Sequence, residues 1–311
     1  MTFAVIDLGT NTFNLLIGTS GPDNTFNKLY NTKIPVKLGE GAINSGYIAE
    51  IPYQRGIQAL CEYRKTLDEY KVSKTYAFAT SAIRSAHNGR QFIHDAKQKA
   101  GIDVTVINGN EEAELIYYGN RMAVDLSGPP SVIMDIGGGS NEFIICDDKN
   151  IFWKHSFKLG AARLLEKFKP SDPITPAEIE NFNNYLRKEM EPLTEAIEKY
   201  KPVNLVGSSG AFESLVDMIA GKFDTKPTNE TDTEYIVNCQ HYKAVTDMII
   251  ASTLEERRNI KGLIEMRVDM MVISCLLIDF MFKEYPLKHL RVSTYSLKEG
   301  VISRNLGLNG L

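Results

Sequence analysis

The sequence predicts an α/β protein in which one structural unit is built twice. Two stretches carry that expectation: AVIDLGTNTFNLLIG at 4–18 and VIMDIGGGSNEFIIC at 132–146. At an offset of 128 residues, Asp7 falls on Asp135, Gly9 on Gly137 and Thr12 on Ser140. Each stretch is an apolar run, an Asp-x-Gly turn of small residues and a second apolar run. That pattern describes a buried hairpin with one carboxylate at its tip. The third observation is the succession after each hairpin. A further strand comes first, then helices alternating with strands, which implies a separate sheet for each half.

The first half opens with strands at 3–7 and 13–19, and KLYNTKIPVKL (28–38) reads as a third. A helix runs from Pro52, a residue suited to a first helical turn, to Tyr70. Next come a strand at 75–80, a short helical piece at 81–86, a helix at 88–100 stopped by Gly101, and a strand at 103–107. A helix at 110–124 takes Asn110 as its N-cap. GNRMAVDLSGPP (119–130) ends that helix in Gly and Pro and reads as a hinge. The expected domains are therefore 1–124 and 125–311.

The second half repeats the plan. Strands are expected at 131–136, 141–147 and 150–158, and helices at 160–168 and 176–200. Strand VNLV (203–206) feeds the helix AFESLVDMIAG. A long apolar helix at 266–285, a strand at 289–293 and a helix at 297–306 complete it, the last expected to pack back on the first domain. DTKPTNETDTE (224–234) has the composition of a surface loop.

The 311 residues are 43% hydrophobic and 24% charged, which is ordinary for a soluble globular chain. A net charge of −4 offers nucleic acid or an anionic membrane no general attraction. An anionic ligand would have to be held locally. The four cysteines (Cys61, Cys146, Cys239, Cys275) form no Cys-x-x-Cys, and the five histidines show no metal-ligand spacing. No basic stretch precedes Asp7, so no signal peptide is expected. The longest apolar run, MMVISCLLI, stops at Asp279, well short of the roughly 20 residues a membrane span needs. A cytoplasmic protein is expected. The number of associating chains is left open, a homodimer included.

The turns Gly9-Thr10-Asn11-Thr12 and Gly137-Gly138-Gly139-Ser140 suggest a chemistry. Glycine lets a backbone approach a ligand closely, and successive peptide N–H groups form an anion nest. Alone, such a turn is usually only a turn. Two at matched positions favour a phosphate gripped from both sides, with Asp7 and Asp135 meeting beside it and a divalent cation between carboxylate and phosphate. Neither turn is a P-loop or a Rossmann fingerprint. A third loop, GSSG (207–210), lies between a strand and a helix, a familiar anion-binding context. It adds Gly207 and Ser208.

Read together, IDLGTNTFNLLI (6–17), KLGEGAINSG (37–46), FATSAIRSAHN (78–88), NGNEEAELIYYG (108–119), IMDIGGGSNEFI (133–144) and FKLGAARLLEKF (157–168) resemble the exopolyphosphatase / guanosine pentaphosphate phosphatase family. The resemblance covers about 3–304. It implies two duplicated ribonuclease H-like domains of the actin, sugar-kinase and heat-shock chaperone superfamily, with a cleft between them. It also implies hydrolysis of a terminal phosphoanhydride with Mg²⁺, or with Mn²⁺ in its place. The substrate would be inorganic polyphosphate, short-chain by preference, or guanosine pentaphosphate. Glu112 takes the catalytic carboxylate's place, Asp7, Asp135 and Glu142 those of the metal- and water-handling acids, and Arg84 that of the arginine after the AT pair. The chain departs from the family pattern at Ser208-Ser209-Gly210-Ala211, where a glycine-threonine loop is usual, and at Lys298, where arginine is usual. Longer relatives carry a further C-terminal helical region that this sequence does not show.

The chemistry fits those residues. Phosphoanhydride hydrolysis needs an aligned water, a proton acceptor and positive charge around the phosphoryl oxygens. Glu112 would be the base, in the first turn of its helix. By position alone Glu111, Glu112 and Glu114 would serve only as acids at a helix N-terminus. Asp135 and Glu142, on either side of one turn, can reach the same end of the hairpin. Arg84 would clamp a terminal phosphate with its forked guanidinium. Two other functions are compatible with the sequence: an ATP-dependent small-molecule kinase of the same superfamily, and a non-catalytic sensor of polyphosphate or a nucleotide alarmone.

Overall fold

The structure, a computed structural model, describes residues 1–21, 26–225 and 232–306. The first half contains β1 (Thr2–Leu8), β2 (Thr12–Ser20), β3 (Phe26–Pro35), α1 (Glu50–Glu69), β4 (Lys74–Ala79), α2 (Ser81–Ser85), α3 (Gly89–Ala100), β5 (Val104–Val106) and α4 (Gly109–Ala123). The second contains β6 (Ser131–Ile136), β7 (Asn141–Cys146), β8 (Ile151–Phe157), α5 (Ala161–Phe168), α6 (Pro176–Glu189), α7 (Glu191–Tyr200), β9 (Asn204–Ser208) and α8 (Gly210–Phe223). It continues with β10 (Glu234–Val237), α9 (Cys239–Ala251), α10 (Leu254–Arg258), α11 (Met271–Glu284), β11 (His289–Ser293) and α12 (Leu297–Leu306).

The sheets repeat one another. The first runs β3-β2-β1-β4-β5, and the second runs β8-β7-β6-β9-β11-β10. In each, three antiparallel strands are followed by two parallel ones, and β10 adds an antiparallel edge to the second. This is the duplicated ribonuclease H-like α/β arrangement. β6 and β7 are buried at every position, which is why they read as near-continuous apolar runs.

Several boundaries differ from expectation for local reasons. The expected helix 176–200 is two helices, because Pro192 can occupy only the first turn of α7. The N-cap of α4 is Asn108, whose side chain accepts from the Glu111 N–H, and Asn110 lies inside the helix. The long apolar helix begins at Met271, preceded by a 3₁₀ turn at Glu265–Arg267. β10, α9 and α10 were not expected at all. Of the expected loop 224–234, residues 226–231 lie outside the described residues. No described helix is long and apolar enough to cross a membrane.

Helices α4 and α12 lie together, and one apolar cluster joins them to both sheets: Phe3 and Val5 from β1, Ile133 from β6, Val206 from β9, Ile116 from α4 and Val301 from α12. Gly119 does not end its helix. A Cβ there would fall 2.0 Å from the Ser296 carbonyl oxygen, and one at Gly300 would fall 1.7 Å from that of Leu115. The two helices are as close as their backbones permit. Gly300→Ala should therefore cost about 1–3 kcal/mol or more through overpacking. A thermal melt of the variant unchanged from wild type would contradict this contact.

Candidate active site

The two hairpins bring their acids to corresponding places. Asp7 lies opposite Asn14 across β1 and β2, and Asp135 lies opposite Glu142 across β6 and β7. Asn14 donates to Asp7 Oδ2 at 3.1 Å. Ser209 and Ser296 donate to the two oxygens of Asp135 at 2.7 and 2.6 Å. Ser156 donates to Glu142 Oε1 at 2.6 Å.

The two turns face each other directly. A Cβ on Gly138 would meet Asn11 Nδ2 at 2.5 Å, and one on Gly139 would meet Thr10 Oγ1 at 2.6 Å. A side chain at either position would have to displace these neighbours. Gly9, Thr10, Asn11, Thr12, Gly137, Gly138, Gly139 and Ser140 line one cleft together with Asp7, Asp135, Glu112 and Glu142.

The carbonyls of both turns are taken up by neighbouring segments. In the first, the Thr10 carbonyl accepts from Gly39 N–H at 3.4 Å, and that of Asn11 from Val36 and Lys37 N–H at 2.8 Å each. In the second, Gly137 O accepts from Ala161 N–H at 2.9 Å and Gly138 O from Ala162 and Arg163 N–H at 3.0 and 3.1 Å. Gly139 O accepts from Arg163 Nε at 2.9 Å. Among the described residues, the N–H groups of Gly138, Gly139 and Ser140 donate to no protein atom. A Lys-Leu-Gly triplet lies at the donors of the first turn (37–39) and immediately before those of the second (158–160).

Of the three glutamates at the start of α4, only Glu112 enters the cleft. Glu111 faces Arg304 at 3.9 Å, and Glu114 pairs with Lys154. Glu112 is 7% exposed. Arg84 does not line the cleft as a phosphate clamp: its Nη1 donates to Glu112 Oε2 at 2.8 Å and to the Ile107 carbonyl at 3.0 Å. Through Nη1 it holds the Glu112 carboxylate, where the sequence had suggested a clamp on a terminal phosphate.

Burial dominates the electrostatics. Glu112 is held well above the ordinary glutamate range by burial and by Glu142, against the pull of Arg84. Glu142 is raised by burial and by Asp135, with Ser156 opposing. Asp135 is raised by burial, with Ser296 and Ser209 opposing. Burial lifts Asp7 to about 6, against Lys298. Four acids in one low-dielectric cleft resist simultaneous ionisation unless positive charge arrives.

The third loop is displaced by a step from expectation. Gly207 packs on the Phe212 ring, where a Cβ would lie 2.1 Å from Cδ1. Ser208 is fully buried, accepting from Asn120 at 3.2 Å and donating to the Tyr295 carbonyl at 3.2 Å. Ser209 and Gly210 line the cleft in their place. Beside them is Arg267, which belongs to none of the motifs read from the sequence. A Cβ on Gly210 would fall 1.6 Å from Arg267 Nη2, so glycine there admits the guanidinium. Arg267 Nε is buried without a partner, and burial lowers its affinity for a proton while Glu213 and Asp135 oppose that effect. Its only sequence signal was a lone arginine before an apolar helix. Lys298 lines a continuation of the cleft with Lys33 and Arg267.

The expected metal set of Asp7, Asp135 and Glu142 is not gathered on one point: among the described residues no three His, Cys, Asp or Glu side chains form a metal-holding group. The donor chemistry still suits a hard cation. Mg²⁺ is commonly bound by one or two carboxylates and completed by phosphate oxygens and water, rather than by an all-protein cage.

The cleft thus lies between two duplicated α/β units and is lined by both small-residue turns and by buried acids, an arrangement of the phosphatase class. The chain belongs to the Ppx/GppA phosphatase family, whose profile matches residues 18–308. It is 24% identical over 307 residues to exopolyphosphatase 1 of Mycobacterium tuberculosis, covering 98% of this chain and 88% of that protein. Among solved structures it is similar to an exopolyphosphatase from Cytophaga hutchinsonii, with TM-score 0.96, 39% identity and coverage of 99% and 98% of the two chains. It is also similar to the Aquifex aeolicus PPX-GPPA enzyme, with TM-score 0.79, 27% identity and coverage of 97% and 99%.

Proposed function

We propose that this protein releases terminal orthophosphate from inorganic polyphosphate, preferring short chains, and accepts guanosine pentaphosphate through the same anhydride chemistry. The observation that carries the reading is one arrangement: Glu112 opens on the cleft whose two opposed turns offer N–H groups. The terminal phosphoryl group would lie between the turns, its oxygens taking the N–H groups of Gly138, Gly139 and Ser140. Glu112 would accept the proton of the attacking water. A base of raised proton affinity is well matched to that task near neutrality. Arg84 would orient the base, and Arg267 would supply fixed positive charge on the far wall. Asp7 and Asp135 would hold Mg²⁺, which neutralises charge on the phosphoryl oxygens. The four cysteines are free thiols, in keeping with the cytoplasm as its compartment.

The test is orthophosphate release from tripolyphosphate, long polyphosphate, guanosine pentaphosphate and ATP, each with and without Mg²⁺. The expected result is Mg²⁺-dependent release from tripolyphosphate without any acceptor alcohol. Transfer of the γ-phosphoryl group of ATP to an added alcohol, forming a phosphoester and ADP with no orthophosphate released, would make the protein a kinase. Binding without release would make it a sensor.

A further inference from the structure

Two segments of the fold have no place in the chemistry above: the 37–46 loop and the start of α5. They meet at Arg163, which bridges the two halves of the molecule. Its Nε donates to the Gly139 carbonyl at 2.9 Å, within its own half. Its Nη1 donates to the Ile43 carbonyl in the other half at 3.0 Å. Asn44 returns the contact, donating from Nδ2 to the Arg163 carbonyl at 3.2 Å.

We propose that Arg163 is a positioning residue that fixes the end of the 137–139 turn with the Ser140 N–H toward the phosphate, and makes that orientation depend on contact with the other half of the molecule. The inference rests on the phosphohydrolase reading above. Its physical basis is the peptide group. A peptide's N–H and C=O point in opposite directions, so an anchored carbonyl fixes the direction of the next N–H. The carbonyls of Gly137 and Gly138 are anchored by backbone N–H groups of α5, and these come with the helix itself. The Gly139 carbonyl is anchored by a side chain alone, and it precedes the N–H of Ser140.

Gly160 makes the anchoring reachable. A Cβ there would lie 2.4 Å from the Gly138 carbonyl, so glycine lets α5 abut the turn. Arginine is required because one planar fork serves two carbonyls in different halves of the molecule, which a single ammonium cannot span. The remaining nitrogen, Nη2, is buried without a partner, so the guanidinium is held in place by this geometry at a cost in unsatisfied polarity.

The experiment compares wild type with Arg163→Lys, and with Arg163→Ala where that variant folds. Three quantities are read: the melting temperature, kcat and KM for tripolyphosphate, and the amide resonances of protein labelled with ¹⁵N-serine and ¹⁵N-glycine on adding orthophosphate. In wild type, the Ser140 resonance should shift with orthophosphate, as should those of Gly138 and Gly139. In Arg163→Lys the Ser140 shift should be lost while the glycine shifts, whose carbonyl anchors are backbone groups of α5, persist, and kcat/KM should fall about 10- to 100-fold, as a misplacement of order 1 Å in the binding turn predicts. The melting temperature should hold. A wild-type Ser140 shift and wild-type kcat/KM in the lysine variant would overturn the proposal. So would an activity loss fully matched by a loss of folded protein. If wild type releases no orthophosphate from any substrate, the hydrolytic reading falls, and the Ser140 resonance still decides the role of Arg163.

Discussion

Glu112→Gln should reduce orthophosphate release by about 10²–10⁴-fold, the usual contribution of a positioned base, while tripolyphosphate binding stays close to wild type. The substitution keeps the shape of a side chain that is 7% exposed, so the fold should survive. Binding should survive because the phosphate is gripped by the turns, to which Glu112 contributes no hydrogen bond. The pH dependence gives a second signature. Glu112 must be ionised to accept a proton, and burial with Glu142 nearby holds it in the protonated form to higher pH than usual. Activity should therefore rise with pH along a limb that the Gln variant lacks. Arg84→Ala removes the opposing positive charge, so the limb should move further up in pH. A Gln variant with wild-type turnover, measured by steady-state phosphate release alongside calorimetric binding, would show that another group takes the proton.

The second large effect concerns stability. In protein stripped of divalent cations, Asp7 binds a proton more tightly folded than unfolded, its midpoint lying near 6 rather than 3.8. Stabilisation from that difference is complete below about pH 4 and is lost as pH rises through 6. Asp135, Glu142 and Glu112 are raised in the same direction. For Asp7 alone the loss is on the order of 3 kcal/mol. Glu178 has the opposite sign: Ser171 and Thr175 hold it down to about 2, so its contribution is already present above about pH 5. Between about pH 5 and 8 the cleft acids should dominate, and the melting temperature should decline. Asp7→Asn should flatten the decline and melt above wild type at about pH 8, while losing phosphate release. Calorimetry in EDTA at several pH values checks this. A flat wild-type profile, or an Asn variant less stable than wild type at the alkaline end, would contradict the electrostatic account of the cleft.

Much of the fold was legible because the duplication repeats local signals. The hairpins at 4–18 and 132–146 carry their own turns, and most element boundaries fell within a few residues. Glu112 could be separated from Glu111 and Glu114 only through the family resemblance, since the three acids look alike at a helix start. Other features were illegible for physical reasons. β10 is a short edge strand and α10 is five residues long, too brief for periodicity to show. Arg267 is distant in sequence from every residue it faces, and nothing local marks it. The partnership of Arg84 with Glu112 depends on how far α2 and the start of α4 sit apart, which spacing does not reveal. The repeated Lys-Leu-Gly was visible in the letters, yet its position beside each turn emerges only from the structure.

The closeness of α4 and α12 bears on how the enzyme matures. The helix bearing the base finds its neighbour in residues synthesised long after it, since Gly119 meets Ser296 and Gly300 meets Leu115. Contacts so remote in sequence form late and slowly. A nascent chain contains both hairpins and the Arg84–Glu112 pair well before α12 exists to pack on α4, so the last helix closes a fold whose candidate site is already encoded upstream of it.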